Sequence, residues 1–163
     1  MNKSILWTFI LVVTGLGFTG FSFKTGPNIG NYSPELVLEK TNEKETVRLS
    51  QFKGKPTLVN FWDTKNASSR LQEKQYQLFL ASDTTNHTEL NYLSVNIDKN
   101  PAVAREIAKI DCYNPKTLYF VANNVQSVVR KFGMKQTPKA FLIDKDGEII
   151  AINPTDEQLR ELI

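Results

Sequence analysis

The chain has 163 residues, a formal charge of +3 at neutral pH, and hydrophobic and charged fractions of 40% and 23%. That is enough chain to bury one core without disulfide staples, and the composition excludes a disordered, collagen-like or coiled-coil protein. Lysines and arginines alternate with acids along the whole sequence, so the clustered cationic face that nucleic-acid binding needs is missing. The local run of Arg130, Lys131, Lys135 and Lys139 reads as solvated surface. Cys112 is the only cysteine, which excludes an internal disulfide and any dithiol–disulfide cycle within the chain.

The first residues differ from the rest. Met1 to Ser4 is short and basic, and Ile5 to Phe23 is apolar apart from scattered Ser, Thr and Gly. This is the layout of a signal peptide, and the run is also about long enough to cross a bilayer uncut, at roughly 20 residues per span. Residues 1–23 are therefore expected to be a signal peptide or N-terminal membrane anchor, which places the protein in the periplasm or cell envelope, secreted or tethered. No cysteine lies near residue 20, so a lipid-modified cysteine is excluded. Lys24 to Ser33, rich in Gly, Pro, Asn and Ser, reads as a linker, and residues 34–163 as the folded domain.

Within that domain Glu35–Leu38 and Thr46–Leu49 are predicted strands separated by the polar turn from Thr41 to Lys44. Gly54-Lys55-Pro56 breaks the chain before Thr57–Trp62, an apolar run of the kind found in a central strand. Ser69 to Ala81 is predicted helical, with Leu71, Leu78 and Phe79, and Tyr76 and Leu80, near helical spacing. Leu90–Ile97 alternates as a second core strand. Asn100-Pro101 caps a helix running to Ile110, a further helix spans about Val125 to Phe132, and Gly133 closes it. Ala140–Ile143 and Glu148–Ile152 form a hairpin across Asp144 to Gly147. Thr155 to Gln158 is a capping box for a last helix. One more strand fits between the second and third helices. The order implies an α/β fold, a central mixed sheet with helices on both faces.

Two segments, LVNFWDTKNASSR (58–70) and FGMKQTPKAFLIDKDG (132–147), resemble the thioredoxin fold, particularly the exported proteins near the membrane-tethered thiol–disulfide oxidoreductases and the thiol-specific antioxidant family. The upstream PELVLEK and VRLSQFKGKP resemble the extra N-terminal hairpin and lead-in of that branch. The resemblance implies Cys-x-x-Cys at the start of the helix after Trp62. Here Asn66 and Ser69 stand in those two positions, with Ala67 and Ser68 between them. A thiol there is ionised by the helix N-terminus and a second thiol resolves the mixed disulfide, whereas an amide and an alcohol do neither. Asn60 stands where thioredoxins proper have a buried carboxylate. Thr137-Pro138 matches the family's cis-proline, next to which an extended peptide docks in relatives.

No catalytic residue is therefore assigned. Trp62, Asn66, Ser69, Thr137 and Pro138 are expected to line a peptide-binding groove. Cys112 reads as a small buried hydrophobe or a lone thiol, and His87 as a surface histidine. No metal site and no cofactor is expected. The function expected is a non-catalytic peptide- or protein-binding module, an adaptor or holdase for an extended peptide or envelope protein, with membrane contact only through the N-terminal segment. The alternative is an oxidoreductase or antioxidant-type protein acting through Cys112 or a partner thiol.

Overall fold

The computed structural model describes residues 24–41, 45–82, 90–134 and 137–163. The expected leader, most of the turn before the second strand, and His87 lie outside them. Seven strands form one sheet in the order β2-β1-β5-β4-β3-β6-β7. They are β1 (Val37–Lys40), β2 (Thr46–Arg48), β3 (Thr57–Trp62), β4 (Asn91–Asn96), β5 (Leu118–Val121), β6 (Ala140–Ile143) and β7 (Ile149–Ile152). The helices are α1 (Ala67–Ser82), α2 (Pro101–Ile110), α3 (Val125–Lys131) and α4 (Asp156–Leu162). β3, β4 and β5 run parallel, joined by α1 and α2, while β1 and β6 flank them antiparallel. This is the expected mixed sheet, with the N-terminal β1–β2 hairpin added at one edge.

Alternation along the central strands sorts two faces. Val59 and Phe61 of β3, with Leu93 and Val95 of β4, join Phe141, Val128 and Phe132 in a core under α3. Leu58 and Tyr92 point the other way and pack with Tyr76 and Phe79 of α1 and Leu159 of α4. Trp62, on that second face, packs with Ala104 and Ala108 of α2. Helices thus cover both faces.

Several boundaries and one segment depart from the sequence pattern. β1 starts at Val37 rather than Glu35, because the Glu35 carboxylate accepts the N–H groups of Leu36 and Ser50 and holds the chain before the strand. Leu49 leaves β2 for a short 3-10 turn, Leu49–Phe52. α1 starts at Ala67, ahead of Ser69. Residues 24–33, read from composition as a linker, pack on the outer edge of β7. Gly30 N–H donates to Ile149 O at 2.9 Å, Ile149 N–H to Asn31 O at 2.9 Å, and Ser33 N–H to Gly147 O at 2.9 Å. An exposed sheet edge is a template for unwanted pairing, and this segment covers part of one.

The predicted caps are present. Asn100 accepts from Ala102 N–H ahead of Pro101, and Thr155 and Gln158 cap α4 reciprocally. α2 ends in a Schellman turn, with Tyr113 N–H donating to Ala108 O at 2.8 Å and Cys112 N–H to Lys109 O at 3.1 Å. The left-handed position of that turn belongs to Cys112, at φ 57°, where glycine is the usual occupant. A left-handed conformation costs an ordinary residue about 1–2 kcal/mol, and glycine's extra unfolded entropy returns about 0.5–1 kcal/mol. Cys112→Gly is therefore expected to raise unfolding stability by about 0.5–1 kcal/mol. Urea unfolding beside Cys112→Ser, expected to leave stability unchanged, checks this.

Candidate functional site

After β3 the chain folds back on itself before entering α1. Asp63 Oδ1 accepts Lys65 N–H at 2.7 Å, and Asn66 N–H donates to Asp63 O at 3.1 Å. Asn66 is the cap of α1, because its Oδ1 accepts Ser69 N–H at 2.9 Å. The Ser69 hydroxyl accepts Asp63 N–H at 3.1 Å and donates to Asn66 O at 3.0 Å. Ser69 is buried. Both positions that resemblance assigned to thiols are therefore consumed in closing one turn of backbone.

The next residue is fixed from the neighbouring strand. Asp98, just beyond β4, accepts Thr64 N–H at 3.0 Å and the Thr64 hydroxyl at 2.9 Å. Asn96 Nδ2 donates to the same carboxylate at 2.7 Å. This clamp joins the loops that follow β3 and β4, and an open cleft of about 680 Å³ lies against them. The cleft sits at the carboxyl ends of parallel strands, the usual place for a ligand on an open α/β sheet. Asn66, Thr137 and Pro138 line it, along with Ile97, Val103 and Val129 as apolar floor. Lys65 and Lys99 stand at its polar rim with Asp63 and Asp98.

Not every expected residue reaches it. Trp62, expected at the border of the groove, is fully buried. Its side chain alternates onto the α2 face, stacks edge-on against Tyr113 and donates its indole N–H to Ser94 Oγ at 3.0 Å. Ser69 lies beneath the first turn of α1. Thr137-Pro138 lines the cleft in the trans form, since no peptide bond among the described residues is cis. Trans is the isomer a proline bond favours intrinsically, by about 0.5–1 kcal/mol.

Cys112 is exposed rather than buried, because the left-handed turn carries its side chain outward while Tyr113 takes the inward position. It stands away from the cleft, on the flank where Arg70 forks onto Asp111 at 2.7 and 2.8 Å. The Arg70 guanidinium holds the Asp111 carboxyl below the usual range despite partial burial. Lys74 Nζ donates to Asp111 O at 3.1 Å, and Tyr113 OH to Arg70 O at 2.9 Å, so the end of α2 is tied to α1.

One feature escaped the sequence pattern. Glu73 of α1 is fully buried, and its side chain meets the sheet where Asn60 sits. Its Oε2 accepts Asn60 Nδ2 and Tyr92 OH, each at 2.7 Å, and its Oε1 accepts Gln77 Nε2 at 2.6 Å. Burial pushes its carboxyl above the ordinary range, in spite of these donors. The apolar residues expected to face the core there, Leu71 and Leu78, are 62% and 58% exposed.

The AhpC/TSA family model matches residues 29–152. The chain belongs to that family. Among curated relatives, the thiol-disulfide oxidoreductase ResA of Bacillus cereus is 26% identical, covering 94% of this chain and 90% of its own. The ResA of Bacillus subtilis is 24% identical, over 88% and 79%. Among solved structures, a thioredoxin-like protein from Parabacteroides distasonis superposes with a TM-score of 0.68 at 26% identity, covering 86% of this chain and 98% of that one. The thioredoxin domain of a thiol-disulfide oxidoreductase from Bacteroides vulgatus reaches a TM-score of 0.70 at 21% identity, over 82% and 94%. The fold is thus the thioredoxin-like one that the two sequence segments suggested.

Three variants test this assignment of the turn. Asn66→Ala removes the cap and is expected to cost about 1 kcal/mol in urea unfolding, whereas Asn66→Asp retains it. The double change Asn66→Cys and Ser69→Cys is expected to form a disulfide under mild oxidant, with one thiol ionising below the ordinary thiol range. Thiolate absorbance and thiol counting read both; a pair that stays reduced would show that these are not the dithiol positions.

Proposed function

We propose that this protein is an exported thioredoxin-like module that holds extended polypeptide segments in the cleft beside Pro138 without redox turnover, as an adaptor or holdase. The observation that carries the reading is the closed turn at Asn66 and Ser69. A cleft with an apolar floor is present, while the two groups at the helix start are engaged with backbone and contain no sulfur. An extended segment supplies apolar side chains for Ile97, Val103 and Val129 and polar backbone for the rim. Residues 1–23 would deliver the domain to the envelope; among the described residues no helix is long and apolar enough to cross a membrane.

A second reading has its own support. The curated relatives carry the name thiol-disulfide oxidoreductase, and the one thiol here is exposed. In that reading Cys112 forms a mixed disulfide with a partner's thiol, and the partner supplies the second sulfur. The relatives weigh toward this chemistry. The distance of Cys112 from the cleft, and its place in a helix-ending turn, weigh against it.

Binding of a cysteine-blocked unfolded polypeptide, followed by titration calorimetry, separates the two. Micromolar binding is expected, weakened at least ten-fold by Val103→Glu and reduced by Pro138→Ala. Absence of binding, or binding indifferent to both changes, would remove the adaptor reading. Insulin reduction that disappears in Cys112→Ser would establish the thiol reading in its place.

A further inference from the structure

Glu73 is the only charged side chain buried among the described residues, and no cation accompanies it. It joins α1 to both central strands: to β3 through Asn60, to β4 through Tyr92, and within α1 to Gln77, whose Oε1 accepts Asn114 N–H at 2.9 Å. Next to it, Asn60 Oδ1 is buried with no hydrogen-bond partner. Ser94, paired with Asn60 across β3 and β4, receives the Trp62 indole N–H, so a buried fluorophore lies on the strand that carries the Asn60 partner of the acid. Ionised, this site would hold a full charge beside an orphaned amide oxygen at a fully buried position, an arrangement that is costly to bury.

We propose that Glu73 is a proton-operated latch: as a carboxylic acid it lets α1 close on β3 and β4, and its ionisation loosens α1 from the sheet. The inference stands independently of what occupies the cleft. The other titratable groups facing Glu73 do not compete for the role. Tyr92 and Tyr76 are themselves pushed upward chiefly by burial, and so is Tyr113. They stay protonated throughout the range in which a carboxyl titrates. Arg70 and Asp111 are committed to each other on the outer side of α1, and Lys74 to Asp111 O. Burial holds the folded-state value of Glu73 above its unfolded value. Stability from this group is therefore complete below the ordinary carboxylate range and is lost as pH rises through the raised folded value. α1 is entered through Asn66, its cap, which lines the cleft, so the helix that relaxes adjoins the cleft at its first turn.

Amide exchange and tryptophan emission test the latch on the full chain with Trp7→Phe, which leaves Trp62 as the sole reporter. Exchange protection of α1, taken relative to β3 in the same sample, is expected to fall at least ten-fold as pH rises through one transition. Trp62 emission should change with the same midpoint. Glu73→Gln is expected to flatten both. Tyr92→Phe, which removes a donor to the carboxylate, is expected to move the midpoint upward. A transition that persists unchanged in Glu73→Gln, α1 protection that tracks β3 at every pH, or a midpoint indifferent to Tyr92→Phe would each overturn the proposal.

Discussion

The helix that begins at Ala67 starts, like any α-helix, with backbone N–H groups that have no partner inside the helix. How those groups are satisfied decides what this end of the molecule can do. Here Asn66 takes the Ser69 N–H, and the Ser69 hydroxyl bridges Asp63 and Asn66 backbone. The partial positive end of the helix, which in a thiol-bearing site would stabilise a thiolate, is spent on an uncharged amide. The loop from Asp63 to Asn66 becomes self-contained, and Asp98 locks it to β4 through Thr64. The cleft is the empty space left beside this rigid corner. Its shape follows from the family's fold, and its chemistry follows from two side chains.

The same corner has an inner layer. Four residues after Ser69 along α1, Glu73 brings a carboxyl to the sheet at the point where the neighbouring strand position carries an amide, Asn60. Charge and amide have been placed on opposite sides of the same interface. The hydrogen bonds from Asn60, Tyr92 and Gln77 satisfy the carboxyl oxygens, but desolvation outweighs them in setting its proton affinity. A polar network of this kind specifies how α1 sits on the sheet more sharply than Leu or Val would, and it ties that seating to protonation.

Strands, turns and caps were legible because each rests on local chemistry. Thr57–Trp62 is apolar apart from Thr57 and Asn60, Asn100-Pro101 carries its own cap, and Gly133 and Gly147 stand where φ is positive. The buried face of α1 was legible only in Tyr76 and Phe79. Leu71 and Leu78 share a helical stripe and suggest a core face, yet they lie outward, and the inward stripe is Ser69, Glu73, Tyr76 and Phe79. A pattern reading assumes that charge faces solvent, so an acid whose partners come from two strands distant in sequence is invisible to it. Cys112 misled for a related reason. Its burial is decided by a left-handed turn that swaps it with Tyr113, and nothing in its residue type announces that turn. Trp62 was placed at the groove by analogy, whereas strict alternation along β3 puts it on the opposite side with Leu58 and Asn60.

These two layers bear unequally on function. A family fold and relatives named as oxidoreductases describe where chemistry would occur, and the atoms at Asn66 and Ser69 decide that it does not occur there in that form. If sulfur had been lost from an otherwise untouched site, the helix start would be left with open N–H groups and a hole the size of two thiols. Instead the Asn66 amide oxygen and the Ser69 hydroxyl both bond the turn's own backbone, and the loop is braced from β4. The turn is built around its present residues, and it closes without a disulfide to hold it. Cys112 fits no such pattern. Its turn would be relieved by glycine, and it shares no hydrogen-bonded network with the cleft, so a role for its thiol would have to be found with a partner rather than within the fold.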